Sequence, residues 1–267
     1  MISPARLSSP VADLGQAVLT FIQGLGRFAC FLLEGFRCLL TPPAQLAAIM
    51  NQLYFIGMKS MVVVCLTGAF TGMVLGFQGY YTLVKFGSEG MLGTMVALTL
   101  VRELGPVLAA IMVTARAGSA MAAEIGIMRI SEQIDALETM NIPPVRFLFR
   151  PRLAASLISF PLLTALFDMM GIFGAYLTGC LLLSVSPGIY FNRVEYSVMM
   201  EDVTGGFIKA LVFGVVVVSI CCYQGYHTHL RKTGFGARGV SDATTSAVVT
   251  SCVLILVTDY VLTSFLM

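Results

Sequence analysis

The hydrophobic positions of this chain are gathered into long apolar runs separated by short polar connections. A helix needs about 20 mainly apolar residues to cross a bilayer, because each residue advances it by only about 1.5 Å. Five runs reach that length, and we predict that each forms a transmembrane helix. The predicted spans are residues 60–82, 91–115, 152–184, 205–226 and 244–266.

The N-terminal segment has a different pattern. Residues 11–40 repeat apolar side chains at helical spacing, but Arg27 and Glu34 lie among the polar positions of the other face. Because charges are costly at the bilayer centre, this pattern favours an amphipathic helix in the membrane interface. A further span is the alternative. We therefore divide the chain into an N-terminal interfacial helix, 1–43, and a five-span membrane domain, 44–267.

Composition agrees with a membrane location. Hydrophobic residues make up 57% of the chain and charged residues only 11%, against about half and about a quarter in soluble domains. The net charge of +2 is too small to indicate nucleic-acid binding. The seven cysteines lie in apolar segments without a C-x-x-C pair, which favours small core side chains over disulfides or metal ligands. We expect an all-α integral membrane protein.

The cations are distributed unevenly between the two sides. The positive-inside rule therefore predicts that the N-terminus, the connection 116–151 and the loop 227–243 are cytoplasmic. The outer loop 185–204 and the C-terminus then lie on the opposite side, and the mildly amphipathic residues 187–203 suggest a helix resting on that surface. The cations on the cytoplasmic side are Arg6, Arg27, Arg37, Arg116, Arg129, Arg146, Arg150, Arg152, Arg231, Lys232 and Arg238, and those on the other side are Lys85 and Arg193.

Many secondary transporters consist of two similar halves, whereas this chain has an odd number of predicted spans and no internal sequence repeat. One copy should not enclose a pathway, and a two-fold homodimer would supply the missing wall. Small residues at four-residue spacing, Gly68, Gly72 and Gly76 in the first span and 110–126 in and after the second, would let helices approach closely. They could serve a dimer interface or the packing of a single copy.

Five charged residues lie inside the predicted spans, where each costs about 2.5–3.5 kcal/mol at a helix centre. They are Arg102, Glu103, Asp168, Lys209 and Asp259. Asp168 is a candidate partner for Arg102, and Lys209 is placed to reach the outer interface or to hold an anion. Two interpretations are open: a lipid-headgroup site, or an ion-pair network that only fixes helix packing.

Gly105 and Pro106 interrupt the hydrogen bonding of the second span. Pro106 has no N–H to donate to the Arg102 carbonyl, which is therefore free to accept another donor, and Gly105 eases a kink. We predict a hinge at these two residues.

Catalytic motifs are absent from the sequence. It has no G-x-x-x-x-G-K-[ST] loop for ATP, no G-x-S-x-G and no H-E-x-x-H. The G-x-G-x-x-G match at 234–239 follows a span and opens no βαβ unit, which indicates a flexible turn. His227 and His229 lack nearby cysteines or carboxylates, which favours a solvated or headgroup-facing role over a metal site. We expect neither an enzyme nor a cofactor in this chain.

A short amphipathic helix is predicted at about 131–141, between the second and third spans. Its apolar residues fall on one face and its acidic residues on the other, and Ser131 is placed to cap its start. Such a helix fits a groove of a soluble partner. A position on the membrane surface is the alternative, but the acidic inner leaflet disfavours it. The two faces are Ile134, Leu137 and Met140, and Glu132, Asp135 and Glu138.

Three sequence blocks resemble one known family. They are RELGPVLAAIMVTARAGSAMAAEIGIMRISEQIDALETMNIPP, GMVLGFQGYY and PRLAASLISFPLLT. Over about residues 45–266 the chain is similar to the MlaE family, the permease subunit of Mce-associated ABC transporters that move phospholipids across the bacterial envelope. The resemblance implies a homodimer in the inner membrane with a cytoplasmic ATPase pair that binds ATP and Mg. It also implies a STAS-domain regulator and a hexameric periplasmic MCE-domain lipid carrier.

The same resemblance implies roles for individual residues. Arg102, Glu103 and Lys209 match family positions at a lipid cavity, and we expect Leu75 and Leu104 to line it. Residues 132–151 are similar to the E-A-A-x3-G-x9-I-x-L-P coupling loop of ABC permeases, although Gln133-Ile134 replace the two alanines and Glu138 the glycine. The expected ATPase-coupling residues are Glu132, Gln133, Ile134, Asp135, Leu137, Glu138 and Met140.

Two other functions compete with lipid transport by an ABC permease. One is an ion-coupled secondary transporter with proton sites at Glu103, Asp168 or Asp259. The other is a membrane scaffold that recruits an ATPase without transporting lipid.

Overall fold

The computed structural model describes residues 10–39, 46–230 and 236–266, which contain helices and no strand. Eight helices longer than one turn are found in these ranges, and five of them are long and apolar enough to cross a membrane. The helices are α1 (Pro10–Leu39), α2 (Leu46–Val84), α3 (Glu89–Ile130), α4 (Gln133–Thr139), α5 (Pro144–Leu182), α6 (Pro187–Ser197), α7 (Met200–Tyr226) and α8 (Ala237–Leu266).

The predicted all-α membrane fold is confirmed. Helices α2, α3, α5, α7 and α8 correspond to the five predicted spans. Each begins before its apolar run, and α5 ends at Leu182, two residues before the predicted end. The extensions arise because helical hydrogen bonding continues through polar residues once a neighbouring helix packs against them. The bundle has one end at α4, here called the α4 end, and the other at α6, the α6 end. The chain is a multi-pass membrane protein.

Glycines bring α2 and α5 into close contact. A Cβ at Gly72 would collide with the backbone carbonyl of Gly171, and one at Gly68 would lie 2.8 Å from the carbonyl of Phe167. The second small-residue run is also used inside the chain, since Gly118 faces Cys221 of α7. The two stripes therefore pack helices of one copy, and they provide no evidence for a dimer interface.

Helix α3 is continuous through Gly105 and Pro106. A π turn at Leu100–Leu104 precedes them, in which the Gly105 N–H donates to the Leu100 carbonyl, and Pro106 occupies the first turn of the following α-helical stretch. A proline fits there because a first-turn N–H has no partner to lose. The hydrogen bonding thus changes register at the proposed hinge, and the helix does not end.

A second π turn of α3, Thr114–Gly118, ties it to α2. Arg116 donates to the Phe55 carbonyl at 2.5 Å, and Phe55 itself lies in a π turn of α2 at Tyr54–Met58. π turns leave carbonyls outside the regular ladder, where they can accept side-chain donors. Arg116 is therefore held inside the bundle.

Helix α1 packs against the α4 end of the bundle. Phe31 is buried against Phe149 of α5 and Tyr223 of α7, and the Tyr223 hydroxyl donates to the Gly24 carbonyl at 3.3 Å. This contact agrees with a helix beside the five spans, and its pose in the membrane interface stays a prediction. The helix terminator at 41–43, together with Arg6, Arg231, Lys232 and the first two positions of the 234–239 turn, lies outside the described residues.

At the α6 end, the loop predicted at 185–204 is mostly helical. Helix α6 buries Tyr190, whose hydroxyl donates to the Ile172 carbonyl at 2.9 Å, and α7 begins at Met200, five residues before the predicted span. The earlier start places Asp202 inside a helix, which matters for the charged residues.

Candidate functional site: a charged cavity between three spans

Arg102 and Glu103 lie in the π turn of α3, near the α6 end. The Arg102 carbonyl, which Pro106 cannot satisfy, accepts a hydrogen bond from Nζ of Lys209 at 2.9 Å. The prediction that this carbonyl is free for another donor is therefore confirmed. The donor comes from α7, so the irregular turn of one helix is stabilised by the lysine of another.

Lys209 is the centre of a buried network. Besides the Arg102 carbonyl, its ammonium donates to Oε2 of Glu103 and to Oγ1 of Thr263, each at 2.7 Å, and lies 3.1 Å from Oδ1 of Asp259. Its side chain is only 3% exposed. The expectation that Lys209 reaches the outer interface is wrong, because its three N–H donors are already used within the protein.

Arg102 has a different partner from the predicted one. Its Nε donates to Oδ1 of Asp202 at 2.7 Å, while Oδ2 of the same carboxylate accepts the Met199 N–H at the start of α7. Asp168, the predicted partner, packs against Gly105 of α3, where a Cβ would collide with its Oδ1. The pairing with Asp168 is therefore wrong. Asp202 precedes the apolar run, so the apolar pattern does not mark it as a partner.

Asp168 is left without a hydrogen bond at Oδ1 among the described residues. It lines an apolar cavity of about 190 Å³ together with Val101 and Phe207. A buried carboxyl oxygen without a donor is costly when ionised.

The charged residues of α3, α7 and α8 enclose a cavity of about 310 Å³, here called the charged cavity. It brings together Arg102, Glu103 and Lys209, as the sequence predicted. Leu75 and Leu104 do not line it but are half-buried against the core. The residues around the charged cavity are Arg102, Glu103, Glu201, Asp202, Gly205, Gly206, Lys209, Thr263 and Leu266.

The side chain of Arg102 is the cation that a ligand in the charged cavity can reach. It is 41% exposed, and only its Nε is used among the described residues, so the two terminal nitrogens remain available. A guanidinium with free N–H groups suits phosphate oxygens. Glu201, at the rim, offers a carboxylate to a positive group.

The short helix predicted at about 131–141 is present as α4, at Gln133–Thr139, and its coupling role stays a prediction. Ile134 is fully buried, Leu137 is half-buried and Met140 is 69% exposed, so the three predicted apolar residues differ in their contacts. Ser131 does not cap α4, since its hydroxyl donates to the Ile127 carbonyl of the preceding helix. Glu132 stands at the N-cap with a left-handed φ of 59°.

Polar contacts join α4 to the end of α7. Arg129 donates from Nη1 to Asp135 at 2.7 Å and from Nε to Nδ1 of His229 at 3.0 Å. The Tyr226 hydroxyl donates to Glu138 at 3.4 Å. Two of the three predicted acidic residues therefore contact this protein, and Glu132 and Gln133 are exposed.

The histidines are more enclosed than predicted. His227 packs against Tyr223 and Phe31, and burial lowers its pKa. Burial and the neighbouring Arg129 guanidinium lower the pKa of His229. Both rings are half-buried, and the solvated or headgroup-facing role stays a prediction. Among the described residues, no group of three or more His, Cys, Asp or Glu side chains could hold a metal ion.

Comparison with known proteins identifies the family. The family described as Permease MlaE matches residues 49–265. The chain is 39% identical over 260 residues to the intermembrane phospholipid transport system permease protein MlaE of Haemophilus influenzae, covering 96% of this chain and 97% of that protein.

Two further relatives come from other lineages. A probable ABC transporter permease protein of Rickettsia typhi is 41% identical over 96% of this chain and 97% of its own length. The chloroplast protein TRIGALACTOSYLDIACYLGLYCEROL 1 of Arabidopsis thaliana is 37% identical over 81% of this chain and 60% of its own length. The family match at 49–265 covers the α4 connection and nearly all of the five spans, and the chain belongs to the MlaE family of ABC transporter permeases.

Proposed function

We propose that this chain moves phospholipid between the bacterial inner membrane and a periplasmic MCE carrier, powered by a separate ATPase. The single observation that carries the proposal is the exposed Arg102 guanidinium in the charged cavity. A rigid network around Lys209 holds the turn that presents it. The Haemophilus influenzae relative, described as a phospholipid transport permease, supports the same substrate.

Energetics explains why such a protein needs an enclosed path. At about 0.8 kcal/mol per methylene, a lipid with roughly thirty methylenes would cost on the order of 24 kcal/mol to carry bare through water. We infer that two copies together enclose an apolar path, to which Leu75 and Leu104 contribute, with the phosphate at Arg102. Lys209 acts indirectly, because its donors hold Glu103 and the Arg102 carbonyl.

The ATPase would act through α4. This helix joins α3 and α5, so a push on it reaches Gly105 and Pro106 through one continuous helix. ATP and Mg belong to the ATPase. A STAS-domain regulator and an MCE hexamer complete the proposed assembly, with the N-terminus in the cytoplasm and the C-terminus in the periplasm.

Lipid binding at Arg102 can be tested in the complex reconstituted with its ATPase and carrier. We expect Arg102→Ala to lower copurified phospholipid, measured by mass spectrometry, and to slow transfer to the carrier by about tenfold, the loss of one charge-assisted contact of about 1.5 kcal/mol. The matched control is Arg193→Ala, an exposed arginine outside the cavity.

Unchanged lipid occupancy and transfer in Arg102→Ala would overturn the headgroup role. If the wild-type complex contains no lipid in stoichiometric amount and transfers none, the chain is a scaffold.

Ion-coupled transport is the second candidate, and the unpartnered Oδ1 of Asp168 favours it. A buried carboxyl group of this kind can bind and release a proton. Transfer that continues without ATP and collapses with the proton gradient would support ion coupling over the ABC mechanism.

A further inference from the structure

A second cavity lies at the α4 end, far from Arg102. It has a volume of about 770 Å³ and is open on one side, between α1, α4, the start of α5 and the end of α7. We call it the α1 cavity. Lys209 lines the charged cavity and His227, just after α7, lines the α1 cavity. The two residues are 18 positions apart, about 27 Å along a helix, so the two cavities are distinct. Lining residues used below are Arg27, Phe31, Glu34, Glu138, Tyr226 and His227.

The lining of the α1 cavity contains charges of both signs. Arg27, Glu34 and Glu138 form no salt bridge with any other residue in the described ranges. Because burial lowers the pKa of His227, its ring is neutral near pH 7. One cation and two carboxylates give the cavity a net charge of about −1. A purely anionic headgroup is disfavoured there, whereas a ligand carrying both an ammonium and a phosphate finds partners for each.

The aromatic and apolar side chains of the α1 cavity also suit a ligand with an ammonium group and an apolar part. Aromatic rings of Phe31, Tyr226 and His227 stand together at the α7 side, and aromatic faces attract ammonium groups. Pro144 and Val145 add an apolar wall from α5. The volume falls within the range of about 300–1,000 Å³ that small-molecule sites occupy.

We propose that the α1 cavity binds the headgroup of a zwitterionic, amine-bearing phospholipid such as phosphatidylethanolamine. Glu34 and Glu138 hold the ammonium, and Arg27 holds the phosphate. Because Glu138 belongs to α4, the bound lipid bridges the N-terminal helix and the coupling helix. This site is separate from the proposed transport site at Arg102 and does not depend on it.

Cys30 provides a direct probe, since it is exposed and lines the α1 cavity. The full-length protein is placed in nanodiscs of phosphatidylglycerol, with or without phosphatidylethanolamine. Modification of Cys30 by N-ethylmaleimide is followed by peptide mass spectrometry. We expect phosphatidylethanolamine to slow the modification by about fivefold, which corresponds to about 1 kcal/mol of occupancy.

The double variant Glu34→Gln with Glu138→Gln should lose this protection, while Glu195→Gln, an exposed carboxylate on α6, should keep it. Arg102→Ala should also keep it, which separates this proposal from the transport site. Equal modification rates in the two lipid mixtures would overturn the proposal. Protection by free phosphoethanolamine in phosphatidylglycerol nanodiscs would assign the site to a soluble compound and overturn the lipid identity.

Discussion

Lys209 shows how one buried cation can connect three spans of a membrane protein. Its ammonium joins α3, α7 and α8 through Glu103, Thr263 and Asp259. Desolvating this charge is expensive, and the neighbouring carboxylates and the Arg102 carbonyl offset that cost. The exposed Arg102 then depends on Lys209 for its position. The ion-pair network that fixes helix packing is therefore centred on Lys209, and ligand contact is proposed for Arg102.

Replacing Lys209 should destabilise the whole chain. In Lys209→Met, Asp259 and the partly buried Glu103 lose their common counter-charge, and we expect a loss of about 3 kcal/mol. Thermal unfolding in detergent would show a lowered Tm. Adding Glu103→Gln should restore part of the loss, since it removes one unpaired charge. The exposed Lys85→Met serves as the control, and an equal Tm shift in both lysine variants would contradict the network.

At the scale of elements, glycine determines how closely α2 and α5 approach. We expect Gly72→Ala to destabilise the protein by about 1–3 kcal/mol, because the new methyl group meets the Gly171 carbonyl and the backbones must separate. Gly188→Ala adds the same methyl group in open space on α6 and should be neutral or stabilising. Thermal unfolding of the two variants distinguishes a packing contact from a general effect of alanine.

The attachment of α4 should depend on pH. Arg129 holds Asp135 of α4 and donates to Nδ1 of His229, which cannot accept this hydrogen bond once it is protonated. Burial and Arg129 lower the pKa of His229 from its usual 6.5, although Asp135 raises it, so the state in which the Arg129–His229 contact is broken binds the proton more readily. Attachment is then at full strength above about pH 6.5 and weakens as the pH falls below it. Hydrogen exchange of 131–141, corrected for intrinsic rates, should show lower protection near pH 5.5 than near pH 7.5.

The matched variant for this pH effect is His229→Gln, which cannot take up the proton. We expect its α4 protection to be the same at both pH values. A pH dependence that survives in His229→Gln would assign the effect to another group and contradict the role of the His229–Arg129–Asp135 contacts.

At the scale of the whole molecule, some residues at α4 pack against the bundle and others are exposed to a possible partner. Ile134 and Asp135 hold it to the bundle, whereas Met140 is 69% exposed and available to a partner. We expect Met140→Asp to leave the Tm unchanged but to lower lipid-stimulated ATP hydrolysis of the assembled complex severalfold, because a charge replaces an apolar contact. Tyr196→Asp, an exposed residue on α6, is the control, and unchanged hydrolysis in Met140→Asp would contradict docking through α4.

The outer face of α8 also bears on the complete assembly. Its most apolar stretch is only 11% buried, and Val253, Val257 and Phe265 are exposed on it. Either lipid or a second copy must cover this face, because apolar surface of this extent is unfavourable in water. The predicted homodimer is compatible with this face, while the glycine stripes of α2 and α3 are already occupied.

The sequence by itself determined the class of fold, the five spans and the short helix between the second and third, because long apolar runs and helical periodicity are local properties. It also singled out most members of the charged network, since an ionisable side chain in a span is costly wherever it points, but it missed Asp202. Pro106 likewise predicted a free carbonyl at Arg102 from local geometry alone.

Only the tertiary structure decided the partners. Arg102 pairs with Asp202 instead of Asp168, and Lys209 is enclosed instead of reaching the interface. The Ser131 hydroxyl donates to the Ile127 carbonyl of the preceding helix instead of capping α4. Ser131 bonds locally, to the carbonyl four residues before it, whereas the first two outcomes depend on the rotation and depth of one helix against another, between residues about a hundred positions apart. Those quantities are set by close contacts such as Gly72 against Gly171, which no single segment of sequence contains.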